Sequence, residues 1–338
     1  MNSMTNGPTI KDVAKEANVS VATVSRVLNG LPGFSADTEK RVQNAIAKLG
    51  YQYNVVARNL KMKKTNIIAV LLPRVETTFY VNILNGIEDA AQNSGYDVML
   101  CHVGDSGSRT REYIKMLMER QVDGIIGCSL PPNEEIDTLM SNSKIPSVLV
   151  STLSYDYTIP YIKIDDFKAE YAATEYLIKK GHRNIVFMSG PLTDVVAGVP
   201  RFNGYKRALK DNSIPFNEDL VAYTEFSFET GIKAFQQIVK RNRKFTAVVA
   251  CCDDVAIASI SVGLKDGLIT PRDYSVIGFD NTRIAEMAIP PLTTISQPLY
   301  EMGTSAFKML LEEIETGKKP KSIIVPYEIV ERSSVAEI

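Results

Sequence analysis

The sequence has little of what metal, redox or secreted chemistry requires. Its 338 residues hold two histidines, His102 and His182, far apart, so neither a histidine-rich zinc site nor a His-based catalytic triad is expected. Cys101, Cys128, Cys251 and Cys252 lie in or beside apolar runs and form no C-x-x-C pair. They read as free buried thiols in a reducing compartment. No apolar run reaches the roughly 18 residues of a membrane span. Residues 1–12 lack the apolar core of a secretory signal, so a cytoplasmic protein with no membrane partner is expected. The sequence also lacks a P-loop, a G-x-G-x-x-G run and a G-x-S-x-G elbow. No enzymatic activity, catalytic residue, metal or cofactor is expected.

Charge is unevenly spread along the chain. Residues 1–64 hold ten of the 38 Lys and Arg but only four of the 39 Asp and Glu. The head is therefore net +6, and the remainder is net −7. A basic head on an acidic body suits a head that meets a polyanion, although charges clustered on a solvated helical surface would look the same.

The head itself carries helix signals. Thr9 and Asp12 have capping-box spacing for a helix from Ile10, with Ile10, Val13, Ala14 and Ala17 on one face. Asn18-Val19-Ser20 breaks the pattern. Ser20 can cap a second helix whose inner face is Val24, Val27 and Leu28. A third helix starts at Ser35 or Asp37, repeats Val42, Ile46 and Leu49, and stops at Gly50. Two short helices across a tight turn, with a third closing the core, form a helix-turn-helix. Val21, Ala22, Thr23, Ser25 and Arg26 remain on the outer face of the second helix. Its first turns are where such a helix reaches base edges in the major groove. Arg26 suits a guanine, Val21 and Ala22 a thymine methyl, and Thr23 and Ser25 phosphates.

Beyond Lys64 the chain alternates. Strand-like runs at 67–72, 98–101, 124–128, 147–150, 185–188, 247–251 and 275–278 are separated by helix-like segments near 82–94, 109–120, 167–180, 202–211, 229–241, 254–266 and 299–315. Continuous apolar strands between helices predict parallel sheets covered on both faces. There are too many strands for one compact sheet, so two α/β lobes are expected.

Val13-Ala14 followed by Val19-Ser20-x-x-Thr23-Val24-Ser25-Arg26-Val27-Leu28-Asn29 closely resembles the head motif of the lactose-repressor (LacI/GalR) family. The resemblance runs on through 54–60 (Asn-Val-Val-Ala-Arg-Asn-Leu), Gly86-Ile87-Glu88, 121–126, Gly181-His182-Arg183, Arg201-x-x-Gly204-Tyr205, 277–282 and 291–298, and so covers nearly the whole chain. It implies a small all-α helix-turn-helix head and an α/β body of two doubly wound parallel-sheet lobes, of the type I periplasmic-binding-protein kind. The head would span 1–64, with a hinge helix at about 54–61. The body would span 65–338, with an N-lobe of 65–163 and 298–325 and a C-lobe of 164–297 and 326–338.

The resemblance extends the DNA-contacting set to Thr9, Ser20, Asn29, Ser35, Thr38, Tyr51, Asn54, Val56 and Ala57. Leu60 matches a leucine that wedges into the minor groove; the alternative is that Val56 and Leu60 pack locally in a linker. Tyr53 stands where the family commonly has proline. In the cleft, Arg201, Asp280 and Gln297 match polar effector-binding positions, and Phe79 and Phe226 match positions that stack on the ligand. Asp253 lies beside a position often held by asparagine, here Cys252, and Ser151 replaces a frequent aspartate. The Asp253-Asp254 pair also reads as a helix cap. The implied function is a homodimeric repressor of carbohydrate-utilisation genes that binds operator double-stranded DNA and answers to a small sugar. The alternative is corepression by a nucleobase or a phosphorylated carrier protein. Tyr300, Gly303 and residues 279–283 are similar to the catabolite-control branch, but Lys308 and Glu328 stand where its partner-binding arginines would be. No leucine heptad precedes Ile338, which favours a dimer over a tetramer.

Overall fold

The computed structural model describes residues 8–28, 30–51, 64–73, 78–104, 106–241 and 244–338. The chain forms two compact units, Met1–Thr65 and Asn66–Ile338.

The first unit contains α1 (Ile10–Glu16), α2 (Val21–Leu28) and α3 (Ala36–Leu49). The Thr9 amide and hydroxyl both donate to the Asp12 carboxylate, at 2.8 and 2.7 Å, which fixes the start of α1. Asn18 takes a left-handed conformation (φ 52°) in the turn. Ser20 Oγ then accepts the Thr23 amide at 3.0 Å and caps α2. Ser35 Oγ caps α3 by accepting the Thr38 amide at 3.2 Å, and Gly50 (φ 61°) ends it. Val13, Ala14, Ala17, Val24, Val42 and Ala45 form the small core.

The second unit has two six-stranded sheets. β1 (Ile67–Leu72), β2 (Asp97–His102), β3 (Gly124–Cys128), β4 (Ser147–Val150) and β5 (Tyr161–Lys163) build the first. β6 (Ile185–Ser189), β7 (Val221–Tyr223), β8 (Ala247–Ala250), β9 (Ser275–Asp280) and β10 (Thr293–Ser296) build the second. The last two strands are shared out. β11 (Ile323–Ile324) joins the first sheet beside β5, and β12 (Glu328–Val330) joins the second beside β10. The chain thus passes between the lobes after β5, after β10 and after β11. All pairings are parallel except β10 with β12, which is antiparallel and departs from the all-parallel expectation.

Helices α4 (Thr78–Asn93), α5 (Thr110–Arg120), α6 (Glu134–Ser143) and α12 (Leu299–Thr316) accompany the first sheet. Helices α7 (Asp166–Lys179), α8 (Gly198–Asp211), α9 (Phe228–Lys240), α10 (Asp253–Lys265) and α11 (Arg283–Met287) accompany the second. The seven strand-like runs and seven helix-like segments read from the sequence all appear. The sequence reading lacked β5, β7, β10, β11, β12, α6 and α11. Apart from α6 these elements have two to five residues, too few to show a period. Helix α6 is largely polar, and only Asp137 and Met140 are buried on it.

Two glycines bring α4 and α12 together. A Cβ on Gly86 would lie 2.1 Å from the Tyr300 carbonyl oxygen, and one on Gly303 would lie 2.1 Å from that of Ile83. The backbones touch where each helix has no side chain. Gly303→Ala is therefore expected to destabilise the body by about 1–3 kcal/mol through overpacking. Urea denaturation of the variant checks this, and an unchanged midpoint would contradict the close crossing.

Candidate functional site

Strained backbone gathers at the carboxyl ends of the strands. Ser129 follows β3, Ser151 follows β4, Phe226 follows β7, and Asp280 closes β9 with Asn281 after it. All five are non-glycine residues with positive φ, between 48° and 114°. Each such residue costs of order 1–3 kcal/mol and persists where surrounding structure holds it, often at a ligand site. Ligands in open α/β sheets bind at this edge.

Arg201 is the centre of the polar cluster there. It projects from the first turn of α8 and is 5% exposed. Its Nε and Nη2 donate to Asp166 Oδ1 at 2.9 and 2.8 Å, and its Nη1 donates to the Cys251 carbonyl. Asp166 Oδ2 in turn accepts from Lys163 Nζ at 2.6 Å. A lysine at the end of β5, an aspartate at the start of α7 and an arginine on α8 thus form one buried ion cluster. The guanidinium lies 3.6 Å from the Phe279 ring centroid and 5.9 Å from that of Phe226. Burial opposes the Arg201 charge, but Asp166 and Asp280 outweigh it and hold the group cationic.

Asp280 is 6% exposed, and its Oδ1 accepts from Gln297 Nε2 at 2.7 Å. Burial pushes its carboxyl well up from the ordinary range, and the charge of Arg201 pulls it back. Phe226 is half-buried with its ring against Gly190, where a Cβ would meet the ring at 2.3 Å. The second lobe therefore brings together four of the expected residues: Arg201, Phe226, Asp280 and Gln297. Phe79 and Ser151 belong to the first lobe. Phe79 is half-buried on α4 with its ring edge-on to Tyr80, and Ser151 donates its amide to the Ile162 carbonyl at 2.8 Å.

Asp253 requires a correction. It was expected to face an effector or to cap a helix. The N-cap of α10 is Cys252. Asp253 is completely buried, and both of its carboxylate oxygens are engaged inside the lobe. Oδ2 accepts the Thr282 amide and hydroxyl at 2.7 and 2.8 Å, and Oδ1 accepts the Thr294 hydroxyl at 2.6 Å. Burial pushes this carboxyl up to about 6 against those three donors. Its task is to lash α10 to β10 and to the turn after β9. Sequence reasoning also passed over Lys163, Asp166 and Phe279 as site residues. The one available signal was the Asp165-Asp166 pair at the head of a helical segment.

In the head, Val21, Ala22 and Arg26 are exposed on α2, while Thr23 and Ser25 are half-buried. Arg26 Nη1 would lie 2.9 Å from a Cβ on Gly33, whose φ of 114° suits glycine. The hydroxyls of Thr9, Ser20 and Ser35 serve caps, with Ser20 bonded to Thr23 and Ser35 to Thr38. Tyr51 is half-buried against the head core. Asn29, Asn54, Val56, Ala57 and Leu60, together with the expected hinge at 54–61, lie outside the described residues.

Two family models match the chain. Residues 9–54 match "Bacterial regulatory proteins, lacI family", and residues 65–333 match "Periplasmic binding proteins and sugar binding domain of LacI family". The chain belongs to the LacI family of DNA-binding transcriptional regulators. Catabolite control protein A of Priestia megaterium is 36% identical over 96% of this chain and 98% of its own. The transcriptional repressor PurR of Vibrio atlanticus is 37% identical over 97% and 98%. Among solved structures, the lac repressor dimer bound to operator and an anti-inducer superposes with a TM-score of 0.87 at 26% identity, covering 98% of this chain and 100% of that one. A CelR–cellobiose complex gives 0.73 at 30% identity, covering 97% and 99%. These relatives are transcriptional regulators, not enzymes. Among the described residues no helix is long and apolar enough to cross a membrane.

Asp253→Ala leaves the Thr282 and Thr294 donors buried without an acceptor. A loss of about 2–4 kcal/mol in unfolding free energy is expected. Chemical denaturation measures it, and a change under 0.5 kcal/mol would return Asp253 to the ligand.

Proposed function

We propose that this regulator is a cytoplasmic homodimeric repressor whose operator binding is controlled by a small carbohydrate held between the lobes. The observation that carries this reading is the arrangement of Arg201, Asp280 and Gln297 beside the Phe226 and Phe279 rings. A sugar offers hydroxyls that both donate and accept, and apolar ring faces. A guanidinium supplies donors, a carboxylate accepts two hydroxyls, and an aromatic ring covers a sugar face. The buried acids Asp166 and Asp280 near Arg201 make a phosphorylated sugar a poor fit, because a further anion would enter beside them. The CelR–cellobiose complex and a LacI-family regulator of Enterococcus faecium with bound ribose support the same ligand class.

The second reading is a corepressor, either a nucleobase or a phosphorylated carrier protein. The likeness to catabolite control protein A favours it. Against it, Glu328 is exposed where a phosphoserine needs a cation, and Tyr300 is turned to Asp89 by a 2.8 Å hydrogen bond.

For DNA, the outer face of α2 carries recognition, with Arg26 as its base-reading side chain. The hinge and Leu60 add the minor-groove contact, and a dimer reads a two-fold operator. Arg26→Ala is expected to cost about 1–3 kcal/mol on the specific operator and far less on random DNA. Equal losses on both, measured by fluorescence anisotropy at fixed salt, would make Arg26 a phosphate contact.

Thermal unfolding across neutral sugars, sugar phosphates and nucleobases tests the effector. A sugar at a hundredfold excess over its Kd is expected to stabilise the protein by about 2.7 kcal/mol and to weaken operator binding. Asp280→Asn is expected to weaken that sugar roughly 10–100-fold, the worth of one to two charged hydrogen bonds, and to leave operator affinity unchanged. Stabilisation by a nucleobase with tighter operator binding would replace the inducer reading with corepression.

A further inference from the structure

Glu170 stands one helical turn after Asp166 on α7, so the two carboxyls rise from the same face. It is completely buried. Among the described residues its Oε2 has no hydrogen-bond partner, and its Oε1 meets only the Thr174 hydroxyl, at 3.5 Å. A carboxylate so poorly supplied with donors is strongly disfavoured in a protein interior. Helix α8 packs directly against it, and a Cβ on Gly204 would lie 3.1 Å from the Glu170 Cβ.

The charged and titratable groups facing Glu170 are few. Its own helix supplies Asp166, α8 supplies Arg201 and Tyr205, and the residue just after β8 is Cys251. Tyr205 donates its hydroxyl to the Ile185 carbonyl, and β10, also packed on α7, carries only Thr293, Thr294, Ile295 and Ser296. Arg201 is therefore the one cation facing Glu170 in this set. Its Nε and Nη2 are already given to Asp166, and its Nη1 to the Cys251 carbonyl. Of the carboxyls around the guanidinium, Asp166 alone bonds it; Asp280 accepts from Gln297, and Glu170 has only the distant Thr174 hydroxyl.

We propose that Glu170 is a positioning residue for Arg201, a second carboxylate station that stays a neutral acid while Asp166 holds the guanidinium and ionises when Asp166 does not. On ionisation the Glu170 O–H bond breaks, the electron pair stays on the carboxylate, and the proton passes to solvent water. The buried guanidinium then keeps an anionic partner on α7 whichever way it turns, and a buried cation is costly without one. Burial pushes Glu170 up to about 8, while Arg201 pulls it down. If Arg201 turns from Asp166 to a bound sugar, as in the effector reading above, binding releases a proton and tightens as pH rises toward 8.

The test uses no ligand, so its failure is separate from failure of the effector reading. Infrared difference titration of the full chain, with Glu170→Gln as reference, is expected to show a buried carboxylic-acid band at pH 7 that disappears near pH 8. In Asp166→Asn the midpoint is expected to fall by at least one pH unit, because Glu170 becomes the one carboxyl of α7 left to Arg201 and loses the repulsion of Asp166. In Arg201→Gln, which serves if Asp166→Asn does not fold, the midpoint is expected to rise. Absence of the band at pH 7, or midpoints unmoved by the substitution that folds, would overturn the proposal. Stability offers a further check. A carboxyl raised above its unfolded value contributes stability below about pH 4.5 that is lost as pH climbs through about 8. Glu170→Gln is expected to remove that part of the decline, and an identical pH profile in the variant would count against a neutral Glu170.

Discussion

Buried charge at the junction of the lobes is the constraint on which this body depends. Arg201 and Asp166 lie almost entirely out of water, as does Lys163. None of them can be left alone there, because an unpaired ion in a protein interior costs several kcal/mol. Asp166 answers two cations with its two oxygens. It thereby ties the last residue of β5, in the first sheet, to α7 and α8, which cover the second. The first passage between lobes is held by chemistry rather than by chain length.

Under the proposed effector reading, the same cluster links stability to function. An arginine placed for a ligand must be cationic, dry and aimed. Dryness strengthens every bond that it makes and raises the cost of every bond withheld. Phe279 beneath the guanidinium and Asp280 beside it share that environment. A ligand that competes for Arg201 or Asp280 therefore acts on groups that also help hold the second lobe together. An effector can shift a lobe arrangement only by binding one arrangement better than another. Side chains with alternative partners inside the protein provide that difference.

Glycine does the complementary work in packing. Gly86 and Gly303 let α4 and α12 meet backbone to backbone, and Gly204 does the same between α8 and α7, where a Cβ would lie 2.4 Å from the Phe167 carbonyl oxygen. In each case a missing side chain sets the distance between helices. The crossing at Gly204 also fixes how near Arg201, one turn earlier on α8, stands to Asp166 and Glu170.

The sequence by itself determined whatever depends on neighbours a few residues apart. The capping hydroxyls of Thr9, Ser20 and Ser35, the periodic faces of the head helices and the long apolar strands were all legible, because each is a local pattern of spacing. The resemblance also picked out Arg201, Asp280, Gln297 and Phe226, which the fold gathers on one lobe. Tertiary structure alone decided which polar groups answer one another. Arg201 and Asp166 are 35 residues apart, and Asp253 meets Thr282 and Thr294 across 29 and 41. No spacing rule reaches that far. Asp253 read as a ligand or a cap because nothing near it in sequence showed two threonines waiting for its oxygens. The two- to four-residue strands β5, β7, β10, β11 and β12 were likewise invisible, since a strand that short exists only because a neighbouring strand offers it hydrogen bonds.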